Sequence, residues 1–129
     1  MCGRFSRKHT LQAIVDHFEV DEIDSKIEPS YNVAPTQKVA VILRNDYNRL
    51  SVFRWGLIPF WAKDPKIGNR MINARAETLA EKPSFKNSLR RKRCLIVADG
   101  YYEWKKIGNQ KIPMYIFVKG QKLFGFAGL

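Results

Sequence analysis

Cys2 is the residue in this chain best equipped for covalent chemistry. Excision of Met1 ahead of so small a residue would leave a free N-terminal cysteine, with thiol and α-amine on adjacent carbons. The ordinary α-amine pKa of about 7.7–8.0 leaves a good fraction neutral and nucleophilic at neutral pH. The thiol, at about 8.5 unless lowered, is the strongest side-chain nucleophile available. A 1,2-aminothiol reacts with aldehydes in a distinctive way: an imine forms at nitrogen, and sulfur then closes a thiazolidine ring. It can also act as an N-terminal nucleophile whose own amine is the base, the logic of N-terminal-Thr hydrolases. Position alone favours a plainer reading, in which Cys2 is a small residue tucked under a strand.

Three further clusters could carry chemistry. Met71-Ile72-Asn73-Ala74-Arg75-Ala76-Glu77-Thr78 sets an amide, a guanidinium and a carboxylate at spacing two, so an extended backbone would place all three on one face. Taken alone, the segment reads better as a capped turn leading into a helix. In Asp99-Gly100-Tyr101-Tyr102-Glu103-Trp104 a carboxylate stands among three aromatics inside a strand-like run. Desolvated there, Glu103 could move protons near neutral pH; facing outward, it would be an ordinary solvated strand residue. The third cluster, Leu89-Arg90-Arg91-Lys92-Arg93, is a basic run of a kind that is usually just solvated. Metal chemistry has little support, because His9 and His17 lie at opposite ends of a helical pattern and the two cysteines are far apart. Neither a Gly-rich phosphate loop nor a serine nucleophile elbow is present.

The elements that must position these groups are short. Leu11, Ile14, Val15 and Phe18 recur at helical spacing and predict an amphipathic helix over about residues 8–19. Pro29 to Pro35 reads as irregular, a shaped loop. Val39–Leu43 and Leu50–Trp55 are strand-like around the turn Asn45-Asp46-Tyr47-Asn48 and predict a hairpin. Trp55-Gly56-Leu57-Ile58-Pro59-Phe60-Trp61 is aromatic but broken by Gly and Pro, hence a loop, and Ala76–Arg91 is helical in pieces around Pro83. Strands follow at Cys94–Ala98, Tyr101–Lys106, Pro113–Val118 and Leu123–Ala127. The expected fold is α+β: a curled, barrel-like antiparallel or mixed sheet with a few short helices.

A chain of 129 residues with 45% hydrophobic content is one domain, residues 1–129, with a real core. Two cysteines make no disulfide framework, so a reducing cytosol fits, with nucleoid association in a bacterium. Nothing at the start has the apolar core of a signal peptide, and no window approaches a membrane span. Twenty-three Lys and Arg against 12 Asp and Glu give a net charge of +11, a field that favours polyanions, nucleic acid first. The last residues, Phe124-Gly125-Phe126-Ala127-Gly128-Leu129, form an apolar strand pattern without a polar tail. They read as a strand whose partner lies downstream, so the domain is expected to be incomplete at this end and prone to self-association through an open edge.

Met1-Cys2-Gly3-Arg4-Phe5, Tyr31-Asn32-Val33-Ala34-Pro35, Trp55-Gly56-Leu57-Ile58-Pro59, Ile72-Asn73-Ala74-Arg75-Ala76-Glu77-Thr78 and Ala98-Asp99-Gly100-Tyr101-Tyr102-Glu103-Trp104 occur in that order. Together they resemble the SOS-response-associated peptidase (SRAP) family, whose members shield abasic sites in single-stranded DNA. The resemblance implies that Cys2 attacks the ring-opened deoxyribose aldehyde and forms a stable thiazolidine cross-link, without a cofactor. It places the assisting asparagine and glutamate on Asn73 and Glu103, and the DNA contacts on Arg4, Asn32, Pro35, Trp61, Arg75 and Tyr102. Phe60 stands where some members carry a second Trp. The family's catalytic histidine belongs to a downstream segment that neither His9 nor His17 matches. The implied enzyme is an N-terminal-cysteine type with peptidase, hydrolase or lyase-like chemistry, its partner single-stranded DNA containing abasic sites. Two other functions stay open from the residues themselves: a cysteine peptidase acting on proteins, and a non-covalent nucleic-acid-binding module in which Cys2 is structural.

Overall fold

The computed structural model describes residues 2–129, and among them two α-helices and nine strands form two open sheets. In chain order these are β1 (Phe5–Arg7), α1 (Leu11–Phe18), β2 (Glu22–Ile23), β3 (Ser30–Val33), β4 (Lys38–Arg44), β5 (Asn48–Arg54), α2 (Pro83–Arg91), β6 (Cys94–Ala98), β7 (Gly100–Ile107), β8 (Gln110–Ile116) and β9 (Phe124–Gly128). One sheet runs β3-β1-β7-β8 and the other β2-β5-β4-β6-β9. All pairings are antiparallel except β2 with β5. The class is α+β as the sequence implies, with two sheets that do not close into one barrel.

Alternation along β4 explains how two layers of core share one strand. Val39 and Val41 face the space between the sheets, where they meet Phe5, Val33, Trp55 and Ala98. Ala40 and Ile42 face the other way, onto Ile14 of α1, with Leu50, Val97 and Leu123. A strand covered on both faces reads as a continuous apolar run, and Lys38–Arg44 does so. Helix α1 begins at Leu11 rather than near residue 8, because the Thr10 side chain caps it by accepting from the Ala13 N–H at 3.3 Å. It ends at Glu19, whose left-handed backbone returns Val20 N–H to Val15 O at 3.0 Å.

Other elements differ from the sequence reading for local reasons. The stretch between Pro29 and Pro35 is not wholly irregular: its first four residues, Ser30–Val33, form a strand that pairs with β1. The two prolines bound the strand without interrupting its ladder. Ala76–Thr78 is a single 3₁₀ turn, and α2 starts afresh with Pro83 in its first turn. The last hairpin is shifted: Ile107 pairs with Gln110 across Gly108-Asn109, where Gly108 takes the positive φ of 57° that a two-residue turn requires.

One residue, Asp99, carries the chain from the second sheet into the first, between β6 and β7. Its backbone N–H donates to Ser6 O at 3.0 Å. Its buried carboxylate accepts from Ser6 Oγ, from Tyr115 OH at 3.1 Å and from Lys8 N–H at 2.5 Å, and it lies 3.1 Å from His9 Nδ1. Burial pushes this carboxyl up, but the hydrogen bonds together outweigh that and hold it below its ordinary value. Gly100 follows because a Cβ there would fall 2.2 Å from the Tyr115 ring.

Candidate functional site

The approach of β1 to β7 sets the site. Phe5 pairs with Tyr101, and just before it the Arg4 carbonyl accepts from the Tyr102 N–H at 2.9 Å. The same carbonyl accepts from the Cys2 thiol at 3.4 Å, so sulfur is tethered beside β7. Tyr101 and Glu103 point to one side of β7, toward the inter-sheet space, and Tyr102 to the other. Glu103 is half-buried there, close enough for its charge to act on the thiol.

Burial pushes the Cys2 thiol above its ordinary value, and repulsion from Glu103 adds to this. A backbone hydrogen bond at Arg4 and the N-terminal charge oppose both without cancelling them. The sulfur is therefore a thiol at neutral pH, a proton donor until something removes that proton. Asn73 completes the local frame by donating from Nδ2 to the Cys2 carbonyl oxygen at 2.6 Å.

Asn73 reaches Cys2 because a loop is clamped beneath it. Buried Trp55 packs on Phe5 with ring centroids 5.2 Å apart and donates its indole N–H to Ile72 O at 2.8 Å. Leu57 N–H donates to Met71 O at 2.9 Å, so residues 71–73 run alongside the Trp55–Leu57 segment. Gly56, at φ 130°, makes this possible: a Cβ there would lie 2.3 Å from the Gly68 carbonyl oxygen. Cys2, Phe5, Trp55, Asn73 and Phe126 border a mostly apolar cavity of about 420 Å³ with the thiol at its edge.

Arg4, just before β1, joins Asn32 of β3, Tyr102 of β7 and Cys2. Arg4 donates from Nη1 to Asn32 Oδ1 at 3.0 Å, while its Nε is buried without a hydrogen-bond partner among the described residues. Tyr102 donates its hydroxyl to Tyr31 O at 3.0 Å and packs on Tyr115 with centroids 5.1 Å apart. Pro35, Trp61 and Arg75 have no hydrogen bond to Cys2 and sit on the surrounding loops. Pro35 precedes Thr36, whose N–H is held by Trp55 O at 2.9 Å, and Trp61 is half-exposed beside fully presented Phe60. Arg75 is exposed at the start of the 3₁₀ turn, so Asn73, Arg75 and Glu77 do not line one extended face. Among the described residues no group of three or more His, Cys, Asp or Glu side chains gathers as a metal site, and no helix is long and apolar enough to cross a membrane.

Asp99 and Trp55 are the positioning residues that the sequence did not single out. A lone carboxylate closing the apolar run Cys94–Ala98 and followed by Gly was the available signal for the first.

The family model described as SOS response associated peptidase (SRAP) matches residues 1–129. The chain is 53% identical over 133 residues to the abasic site processing protein YoaM of Bacillus subtilis, covering 100% of this chain and 59% of that protein. It is 37% identical over 131 residues to the abasic site processing protein YedK of Escherichia coli, covering 96% and 57%. A crystal structure of a Bacteroides thetaiotaomicron protein superposes with a TM-score of 0.85 at 32% identity, over 98% of this chain and 58% of that one. The chain thus spans 57–59% of the length of these three proteins.

Proposed function

This chain belongs to the SOS response associated peptidase family, and from that premise we propose that it captures abasic sites in single-stranded DNA through a thiazolidine at Cys2. The observation that carries the reading is the frame around Cys2: carbonyl held by Asn73, thiol at a cavity edge, and a carboxylate within electrostatic reach. Both relatives quoted above are called abasic site processing proteins.

Once Met1 is removed, the neutral amine of Cys2 adds to C1′ of the ring-opened deoxyribose. The carbinolamine loses its hydroxyl as water to give an iminium ion, and sulfur then attacks the iminium carbon while the thiol proton passes to the Glu103 carboxylate. One water leaves overall. The Glu103 carboxylate takes the proton that the terminal ammonium sheds, gives it to the departing hydroxyl and receives the thiol proton as sulfur closes the ring, which suits a thiol that stays protonated until the iminium forms. Asn73 holds the Cys2 backbone so that amine and sulfur both face the sugar.

Arg4, Asn32, Pro35, Arg75, Tyr102 and Trp61 hold the strand on either side. Arginine pairs with phosphates, and exposed aromatics stack with bases at about 1–3 kcal/mol each without demanding sequence. The +11 charge suits such a partner. A cysteine–histidine peptidase is not favoured, because the described histidines are engaged elsewhere: His9 with Asp99, His17 against Phe18. The protein would then work in the cytoplasm, on the nucleoid of a bacterium, in the DNA damage response.

Intact mass measurement after mixing the chain with an oligonucleotide bearing one abasic site tests this. The expected species has the summed mass of Met1-free protein and DNA less one water. Recovery of unmodified protein alone would end the proposal.

A further inference from the structure

The basic run before β6 has no part in the site around Cys2, and the fold gives it a place of its own. Arg90 and Arg91 in the last turn of α2 and Arg93 before β6 meet Arg44, at the end of β4, around a second cavity of about 540 Å³. Ile42 and Leu95, a register pair of β4 and β6, form its floor. Their neighbours Val41 and Ile96 border the Cys2 cavity instead, so the two hollows lie back to back across the five-stranded sheet.

No carboxylate borders the arginine cleft among the described residues. Nor does any of its four guanidiniums have a hydrogen bond or ion pair with a described residue, whereas Arg4, Arg49 and Arg54 are engaged with Asn32, Asp24 and Asn69. Four like charges gathered without counter-charge oppose folding. The C-terminal dipole of α2 compensates Arg90 and Arg91, which lie on the helix, but not Arg44 or Arg93, which lie outside it. The floor is apolar, with Leu95 42% exposed. Charged walls over an apolar floor match a polymer that alternates phosphate with sugar and base.

We infer that this cleft is a second binding site for the phosphodiester backbone of single-stranded DNA, holding the strand that flanks the captured nucleotide on the reverse face of the sheet. The inference rests on the reading of the chain as a DNA-capturing protein and adds a second anchoring point to it. A long strand would engage both faces, and a short one only the Cys2 side.

The test compares Arg90→Gln/Arg93→Gln with Lys119→Gln/Lys122→Gln, which removes equal charge from the exposed segment before β9. Each is titrated with intact single strands of about 30 and about 10 nucleotides across a range of salt, and its adduct formation with a short abasic oligonucleotide is followed separately. For the arginine pair, the salt slope on the long strand should fall by about 1.4, two phosphates at about 0.7 each. The short-strand adduct rate should be unchanged and the melting midpoint should not fall, because these side chains have no partner among the described residues to lose and two of four crowded like charges are removed. The lysine pair should alter the long-strand slope less. Equal slopes for the two variants, with adduct formation intact, would overturn the inference and leave the capture reading standing. A normal loss of slope in a protein that forms no adduct would support the cleft and remove the capture reading instead.

Discussion

Replacing Asp99 by Asn should cost roughly 2 kcal/mol of stability at neutral pH. The carboxylate accepts from Ser6, Tyr115 and Lys8 at the point where the chain crosses between sheets. An asparagine can keep its oxygen on the Lys8 N–H and turn its NH₂ toward the two hydroxyls, which can rotate to accept, so no donor is orphaned. What disappears is the charge. Hydrogen bonds to an ionised group contribute about 1.5–3 kcal/mol against about 0.5–1.5 for neutral ones, a loss of about 1 kcal/mol for each of the three donors. Relief of the cost of burying a charge offsets part of this. The sign of the pH dependence follows from the native carboxyl sitting below its ordinary value. Its contribution is fully present above the unfolded pKa of about 3.9 and is lost as pH falls through the native value. With His9 facing the same carboxylate, urea denaturation should therefore show a gap between wild type and Asp99→Asn that does not narrow from neutral pH down to about pH 5 and narrows only at more acid pH. Equal midpoints at neutral pH, or a gap already closed at about pH 5, would refute the reasoning.

Glu103→Gln removes a like charge facing Cys2, so the thiol should ionise at lower pH. Alkylation of Cys2, followed by peptide mass, should shift its pH profile toward acid while adduct formation at neutral pH slows; an unmoved profile would separate Glu103 from Cys2. Gly56→Ala must push the Gly68 carbonyl aside at a backbone angle that disfavours side chains, and a destabilisation above about 1 kcal/mol by urea titration is expected. Arg75→Ala should weaken binding of undamaged single strands at every sequence tried, by fluorescence anisotropy, and flatten the salt slope by about 0.7. Every residue of edge strand β8 is exposed, and Ile112, Met114 and Ile116 share one face of it. Sedimentation should accordingly show association that grows with concentration.

Where local pattern decided structure, the sequence was legible. The β4–β5 hairpin follows from two apolar runs around Asn45–Asn48, and the Trp55–Trp61 loop from Gly56 and Pro59. Elements that depend on distant partners were not. Phe5-Ser6-Arg7 is too short and too polar to read as a strand, yet all three residues are buried because β3 and β7 close over them. Arg7 is buried with one guanidinium nitrogen donating to Glu28 O at 2.5 Å, which no periodicity foretells. The site divides in the same way. Cys2 is visible from chemistry alone, since an aminothiol needs only to be at the terminus. The contact from Asn73 spans 71 positions and depends on Trp55 and Gly56 holding a loop, so spacing could not reveal it, and only the family resemblance pointed there.

The central claim is that sulfur, and not only the amine, closes on the sugar. Denaturing electrophoresis of the wild-type chain, Cys2→Ser and Cys2→Ala with a single-stranded oligonucleotide carrying one abasic site, with and without borohydride, separates the two. Wild type should give a slow band that survives detergent and heat without reductant. Both variants should give one only after borohydride traps the imine formed by their terminal amine. A persistent band of wild-type intensity from Cys2→Ala without reductant would contradict the account.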